Sequence, residues 1–231
     1  MGLPDRIDVV LCDVGGPIYS DHNFTSAVRR ALDEIRADQG GAPIATADFD
    51  RVYDTVRAHQ SGGLRRSLAR ELLGDQSLQG ELHRRTGEHW THPAGTAYPD
   101  ALAMFRALHG RVTLGVVANQ EAATVKALRR DGFGDYIDVW GISAIVGHEK
   151  PSREFFDWAL AQAGTTAEHA VHIGNRLDTD VRPAKALGIG TIWVTRGEAP
   201  THPTPAQLAE ADVCVPDLTT VAELVLARTG R

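Results

Sequence analysis

The first residue able to do chemistry is Asp13. It ends the apolar run Val9-Val10-Leu11-Cys12 and is followed by Val14-Gly15-Gly16-Pro17. The run predicts a buried strand, and the C-terminal tip of a parallel strand is where α/β folds place their reacting groups. The glycines that follow let the backbone come close to a ligand. Three later segments carry groups that fit the same picture: Val116-Val117-Ala118-Asn119, Lys150-Pro151 and Gly174-Asn175-Arg176-Leu177-Asp178-Thr179-Asp180. Lys150 is one of only three lysines, with Lys126 and Lys185, in a chain that otherwise uses arginine. That scarcity argues against a random surface charge, since a compact ammonium is not interchangeable with a guanidinium fork.

The elements that must position these groups follow from periodicity. Residues 7–12 predict the first strand. From residue 21 to 93 the pattern is helical. Phe24, Val28, Ala31, Leu32 and Ile35 mark one helix face, and Phe49, Val52, Tyr53 and Val56 a second, with Thr46 expected as its N-cap. Leu64, Leu68 and Leu72 mark a third helix, and Leu78, Leu82 and Trp90 a fourth. Gly40-Gly41-Ala42-Pro43 and Ser61-Gly62-Gly63 break the run. After Pro99 strands alternate with helices. Strands are expected at 112–117, 137–142, 170–173, 191–194 and 213–215, and helices at 121–131, 152–163, 179–187 and 218–227. Such alternation predicts an α/β fold, a doubly wound, Rossmann-like parallel sheet. The expected division is a core of 1–20 and 96–231 carrying an all-helical subdomain at 21–95.

Composition limits the function. The net charge is −6, against the basic face of a nucleic-acid binder. Arg65, Arg66 and Arg70 read as solvated surface. Cys12 and Cys214 lie in apolar runs and read as small hydrophobes, with no disulfide or metal framework. Neither a signal-peptide core nor a membrane-spanning run is present, so a cytoplasmic location is expected, as a monomer or homodimer.

In order, the four segments resemble the motifs of the haloacid dehalogenase (HAD) superfamily of hydrolases, and the helical insertion resembles its cap, which closes over the site and chooses the substrate. The resemblance implies that Asp13 is a nucleophile forming an aspartyl-phosphate. Lys150 then neutralises Asp13 and the transferring group. Gly16, Ala118, Asn119 and His22 are expected at a small phosphorylated substrate. Asp13, the Gly15 carbonyl, Asn175 and Asp180 are expected to hold Mg²⁺, a cation that takes oxygen ligands. Asp180 is preferred over Asp178 because the stretch from Asp180 to Gly188 tracks the family's helix.

Three positions depart from that pattern. Gly15 stands where phosphatases of the family carry a second Asp, and a missing general acid costs a factor of about 10² to 10⁴. Asp21 and His22 are the nearby substitutes. Ala118 stands where a Ser or Thr hydroxyl holds a phosphoryl oxygen, a loss of roughly 1.5–3 kcal/mol. The strand-to-helix turn still offers backbone N–H groups to an anion. Asn175 replaces the first acid of the last motif, so weakened Mg²⁺ binding is expected.

The leading expectation is a Mg²⁺-dependent phosphohydrolase. One alternative is a 2-haloacid dehalogenase-like enzyme, because halide leaves without a proton and so tolerates Gly15. The other is a catalytically degraded protein that binds a ligand or partner. A phosphonatase-like reaction is disfavoured, because residues 21–95 contain no lysine for a Schiff base.

Overall fold

A computed structural model describes residues 2–61 and 63–230. Gly62 of the expected Ser61-Gly62-Gly63 break lies outside the described residues. The chain folds into two compact units, a larger one (Met1–Ser20, His92–Ala199, Pro203–Arg231) and a smaller one (Asp21–Thr91, Pro200–His202).

The larger unit is built on a six-stranded sheet of order β3-β2-β1-β4-β5-β6, with every pair parallel. The strands are β1 (Val9–Cys12), β2 (Thr113–Ala118), β3 (Val139–Ile142), β4 (Ala170–Gly174), β5 (Gly190–Val194) and β6 (Val213–Val215). Strands buried on both faces read as continuous apolar runs, which is why β1 lacks a polar alternation. Side chains still alternate between faces. Val10 and Cys12 join Leu114 and Val116 in one apolar cluster with Met104, Phe105 and Val225. Val9 and Leu11 join Val117 in the other, with Phe155, Phe156 and Leu160. Helices therefore cover both faces, as the alternation predicts. The chain steps from β1 to β2 on one side and returns to β4 on the other. The tip of β1 thus sits at the switch point of the sheet, where a crevice opens between diverging loops.

The smaller unit contains α1 (His22–Asp38), α2 (Thr46–His59), α3 (Leu64–Leu68), a π-helical turn over Ala69–Leu73 and α4 (Gln79–His89). The faces read from periodicity are the buried ones: Phe24, Val28, Leu32 and Ile35 of α1 pack in one cluster with Phe49, Val52, Tyr53 and Val56 of α2. Two details differ from expectation. Ala45, not Thr46, is the N-cap of α2, with no side-chain cap bond. In the third helix the π turn buries Leu73 in the core, while Leu72 packs against it partly buried.

In the larger unit, α5 (Pro99–Leu108) is not legible as a helix from the pattern; its Pro99 at the first turn pre-sets the helical φ rather than only ending a loop. It is followed by α6 (Ala123–Arg130), α7 (Ser143–Val146) and α8 (Arg153–Ala163), the last capped by the Ser152 hydroxyl accepting from Phe155 N–H. The helix expected over 179–187 is instead a π-helical turn, Leu177–Val181, leading into α9 (Arg182–Ala186). Short α10 (Pro205–Leu208) and α11 (Val221–Leu226) complete the chain. Among the described residues no helix is long and apolar enough to cross a membrane.

Candidate active site

Four strand tips bring the chemistry together within the larger unit. Asp13 follows β1, its N–H bonded to the Ile173 carbonyl of β4 (2.8 Å), and its side chain is 14% exposed. Lys150 precedes α8 and is buried. Its ammonium lies 2.8 Å from Asp13 Oδ1 and 2.5 Å from Asp180 Oδ1. Asp180 is fully buried, and both of its oxygens are engaged: Oδ1 by Lys150 and by His172 Nε2 (3.1 Å), Oδ2 by the Arg176 N–H (3.0 Å). A row Asp13–Lys150–Asp180–His172 therefore runs from the exposed end of the site into the sheet.

The electrostatics follow from burial against pairing. Burial pushes the Asp13 carboxyl up to about 6; Lys150 opposes that, and the Asp180 charge adds to it. Burial would raise Asp180 too, but Lys150 and His172 win there and hold it well below the usual carboxylate range. Burial works against the Lys150 ammonium, yet the two carboxylates keep its pKa above that of a free lysine. His172 is pushed down by burial, only partly offset by Asp180, so it is neutral at pH 7. Ionised Asp180 can only accept, so His172 Nε2 carries the proton and donates it. His172 Nδ1 is buried with no hydrogen-bond partner.

A contact across the fold holds Lys150. Asn119, after β2, accepts from the Lys150 N–H at 2.7 Å and donates to the Lys150 carbonyl at 2.8 Å. The sequence places Asn119 at the substrate; in the structure both ends of its side-chain amide instead brace the backbone of the lysine. Ala118 is buried in the apolar cluster that holds Cys12, Val14 and Ile142. Gly16 has φ +83°, and a Cβ there would lie 1.9 Å from Asn175 Nδ2, so a side chain is excluded where the two loops meet. Asn175 is itself buried and donates to the Arg196 carbonyl (3.2 Å). Gly15 follows Asp13 in the same loop, partly buried. Asp178 turns away from this group and forms a two-point ion pair with Arg176 (3.0 and 2.7 Å). His22 is exposed as the first residue of α1, in the smaller unit.

Sequence reasoning missed His172, the Asn119 bracket and the role of Gly174. A Cβ on Gly174 would stand 2.3 Å from both Cβ and Cγ of Asp180. Gly174→Ala is therefore expected to displace Asp180 from beneath Lys150. Overpacking of this kind costs roughly 1–3 kcal/mol, which urea denaturation of the variant would measure.

The chain belongs to the haloacid dehalogenase-like hydrolases: that family's model matches residues 7–188. Over 203 residues it is 33% identical to the glyceraldehyde 3-phosphate phosphatase of Methanocaldococcus jannaschii, covering 82% of this chain and 85% of that protein. It is 33% identical to the pyrimidine 5'-nucleotidase YjjG of Escherichia coli over 101 residues, which span 43% of this chain and 45% of YjjG. The fold matches the crystal structure of the HAD-hydrolase YfnB of Bacillus subtilis bound to magnesium, with TM-score 0.68 and 19% identity over 95% of this chain and 99% of that one.

Proposed function

We propose that this protein is a phosphohydrolase that removes phosphate from a small phosphorylated metabolite through Asp13. The observation that carries the reading is the Asp13 carboxylate at the tip of β1, partly exposed and held 2.8 Å from a buried ammonium. The phosphatase relatives support it. In the first step Asp13 attacks phosphorus; an O–P bond forms to the carboxylate and the bond to the leaving oxygen breaks. Lys150 stabilises the charge that builds on the transferring group. Gly15 has no proton to give, so the leaving oxygen takes its proton from solvent, and leaving groups that need little acid help are favoured. Water then attacks phosphorus and gives up a proton to solvent, the O–P bond to Asp13 breaks, and inorganic phosphate leaves with the carboxylate regenerated. On the same reading the helical unit serves as the cap that selects the substrate.

The chemistry of the donor set suits Mg²⁺ sparingly. The Asp13 carboxylate, the Gly15 carbonyl and the Asn175 amide oxygen are hard oxygen donors. Asp180 is engaged by Lys150, His172 and the Arg176 N–H. Among the described residues no three acidic, His or Cys side chains group to hold a metal. A Mg²⁺ ion held by Asp13, Gly15 and Asn175 together with the substrate phosphate would neutralise phosphoryl charge.

The test is phosphate release from a panel of phosphorylated metabolites, with Mg²⁺ or EDTA, against an Asp13→Asn background. Release is expected above that background, greatest for substrates with good leaving groups, and half-maximal only at millimolar Mg²⁺, since one carboxylate anchors the ion. Release equal to the Asp13→Asn background on every substrate overturns the proposal. Halide release from 2-haloacids would then mark the carbon–halogen reading, which Gly15 favours.

A further inference from the structure

We propose that Arg196, just beyond the tip of β5, is a positioning residue for the loop that begins at Asp13. Its guanidinium donates to two successive carbonyls of that loop: Nε to Gly16 (3.0 Å) and Nη2 to Pro17 (2.6 Å). The third nitrogen, Nη1, donates to Asp100 Oδ2 at 2.8 Å. The plane lies over the Tyr98 ring, 3.9 Å from its centroid. Asp100 is itself fixed, because the same oxygen accepts from the Leu218 N–H (2.7 Å). The Arg196 carbonyl accepts from Asn175 Nδ2, the same atom that stands closest to the space a Cβ on Gly16 would occupy. The loop is thus gripped at its carbonyls by Arg196 and at the Gly16 α-carbon by Asn175.

A simple ion pair with Asp100 would leave the two carbonyls to water. Here the fork meets both, and only a guanidinium can bond two carbonyls and a carboxylate while stacking on a ring. The direction of the Gly16 and Pro17 carbonyls fixes the peptide planes of the loop. Those planes set where the backbone N–H groups after Asp13 point, and such fixed donors stabilise charge in a transition state without reorganising. Loss of the grip should therefore reduce the chemical step more than substrate affinity.

The inference rests on the phosphohydrolase reading for its kinetic part, so the experiment has two arms. Amide hydrogen exchange is followed in wild type, Arg196→Lys and Asp100→Asn, together with kcat and KM for phosphate release. Arg196→Lys is expected to speed exchange at residues 14–19 by at least about tenfold, with β4 and β5 unchanged. It is also expected to lower kcat by about 10- to 100-fold while KM changes less than about threefold, loop misplacement being costly in that range. Asp100→Asn keeps the carbonyl contacts but loses the charge that orients the fork, and is expected to move both readouts the same way by less. Unchanged exchange at residues 14–19 in both variants overturns the grip, whatever the wild type does with phosphate. Faster exchange with kcat and KM as in wild type overturns the positioning role. A wild type that releases no phosphate counts against the phosphohydrolase reading alone, and the exchange arm then decides the grip.

Discussion

Asp13→Asn is expected to lose at least about a thousandfold in phosphate release, because the proposed nucleophile is gone, and yet to be more stable than wild type at pH 7. The sign follows from the Asp13 carboxyl, pushed up to about 6 by burial, with Asp180 adding to the shift and Lys150 opposing it. A carboxyl raised in the folded state binds a proton there that the unfolded chain has released. Its favourable contribution is fully present below about pH 4 and is lost as pH rises through about 6. At neutral pH the charged carboxylate is a liability, worth on the order of 2–3 kcal/mol for a shift of about two units. Asn keeps the shape and removes the charge, leaving Lys150 paired one-to-one with Asp180. Urea denaturation at pH 7 and at pH 4 should show the variant's advantage at the first and its near disappearance at the second. A variant less stable than wild type at pH 7 would show that the Asp13–Lys150 pair outweighs the burial. On the proposed mechanism the same displaced carboxyl is expected to give the wild type an acid limb near pH 6, because a protonated Asp13 cannot attack. This is the trade between a strained reacting group and fold stability.

The parts of the molecule that are legible in the sequence are those fixed by short-range pattern. β1, β4 and β5 are apolar because helices cover both faces of the sheet, and β1 ends on a carboxylate that no buried strand needs. Lys150 stands out because lysine is rare in this chain. The amphipathic faces of α1 and α2 are visible because the 3.6-residue period survives into the buried cluster. What is not legible depends on contacts across the fold. Asn119 resembles a substrate ligand by position, and only the meeting of the β2 tip with the segment before α8 turns its amide onto the Lys150 backbone. His172 lies within a strand whose other residues are apolar, and its meaning comes from Asp180, eight residues on, which folds back over Gly174. That return is made by the π-helical turn at Leu177–Val181, where ordinary helical spacing predicts α-helix. Arg196 does carry a signal in the sequence: it stands just after a buried strand, as Asp13 does.

Lys150→Met is expected to abolish phosphate release and to cost more stability than any other single change in the site. The ammonium is the one cation between two carboxylates, 2.8 Å from Asp13 and 2.5 Å from Asp180. Met fills much of the same space, so the loss is one of charge rather than volume. Removing one partner of a buried ion pair costs about 3–5 kcal/mol, because the charge left behind has neither water nor counter-ion. Here two negative charges are left facing each other. The native state relieves them by taking up a proton, so the deficit should shrink as pH falls, beginning above pH 6 because Lys150 no longer lowers the Asp13 carboxyl. Adding Asp180→Asn to Lys150→Met should return part of the lost stability, since one buried charge then replaces two, while phosphate release stays absent for want of the ammonium. The two changes are in contact, so their effects should fall well short of additive. Full additivity in denaturation midpoints at pH 7 would mean that Lys150 is held by its Asn119 bracket alone, and that Asp180 serves something other than the lysine.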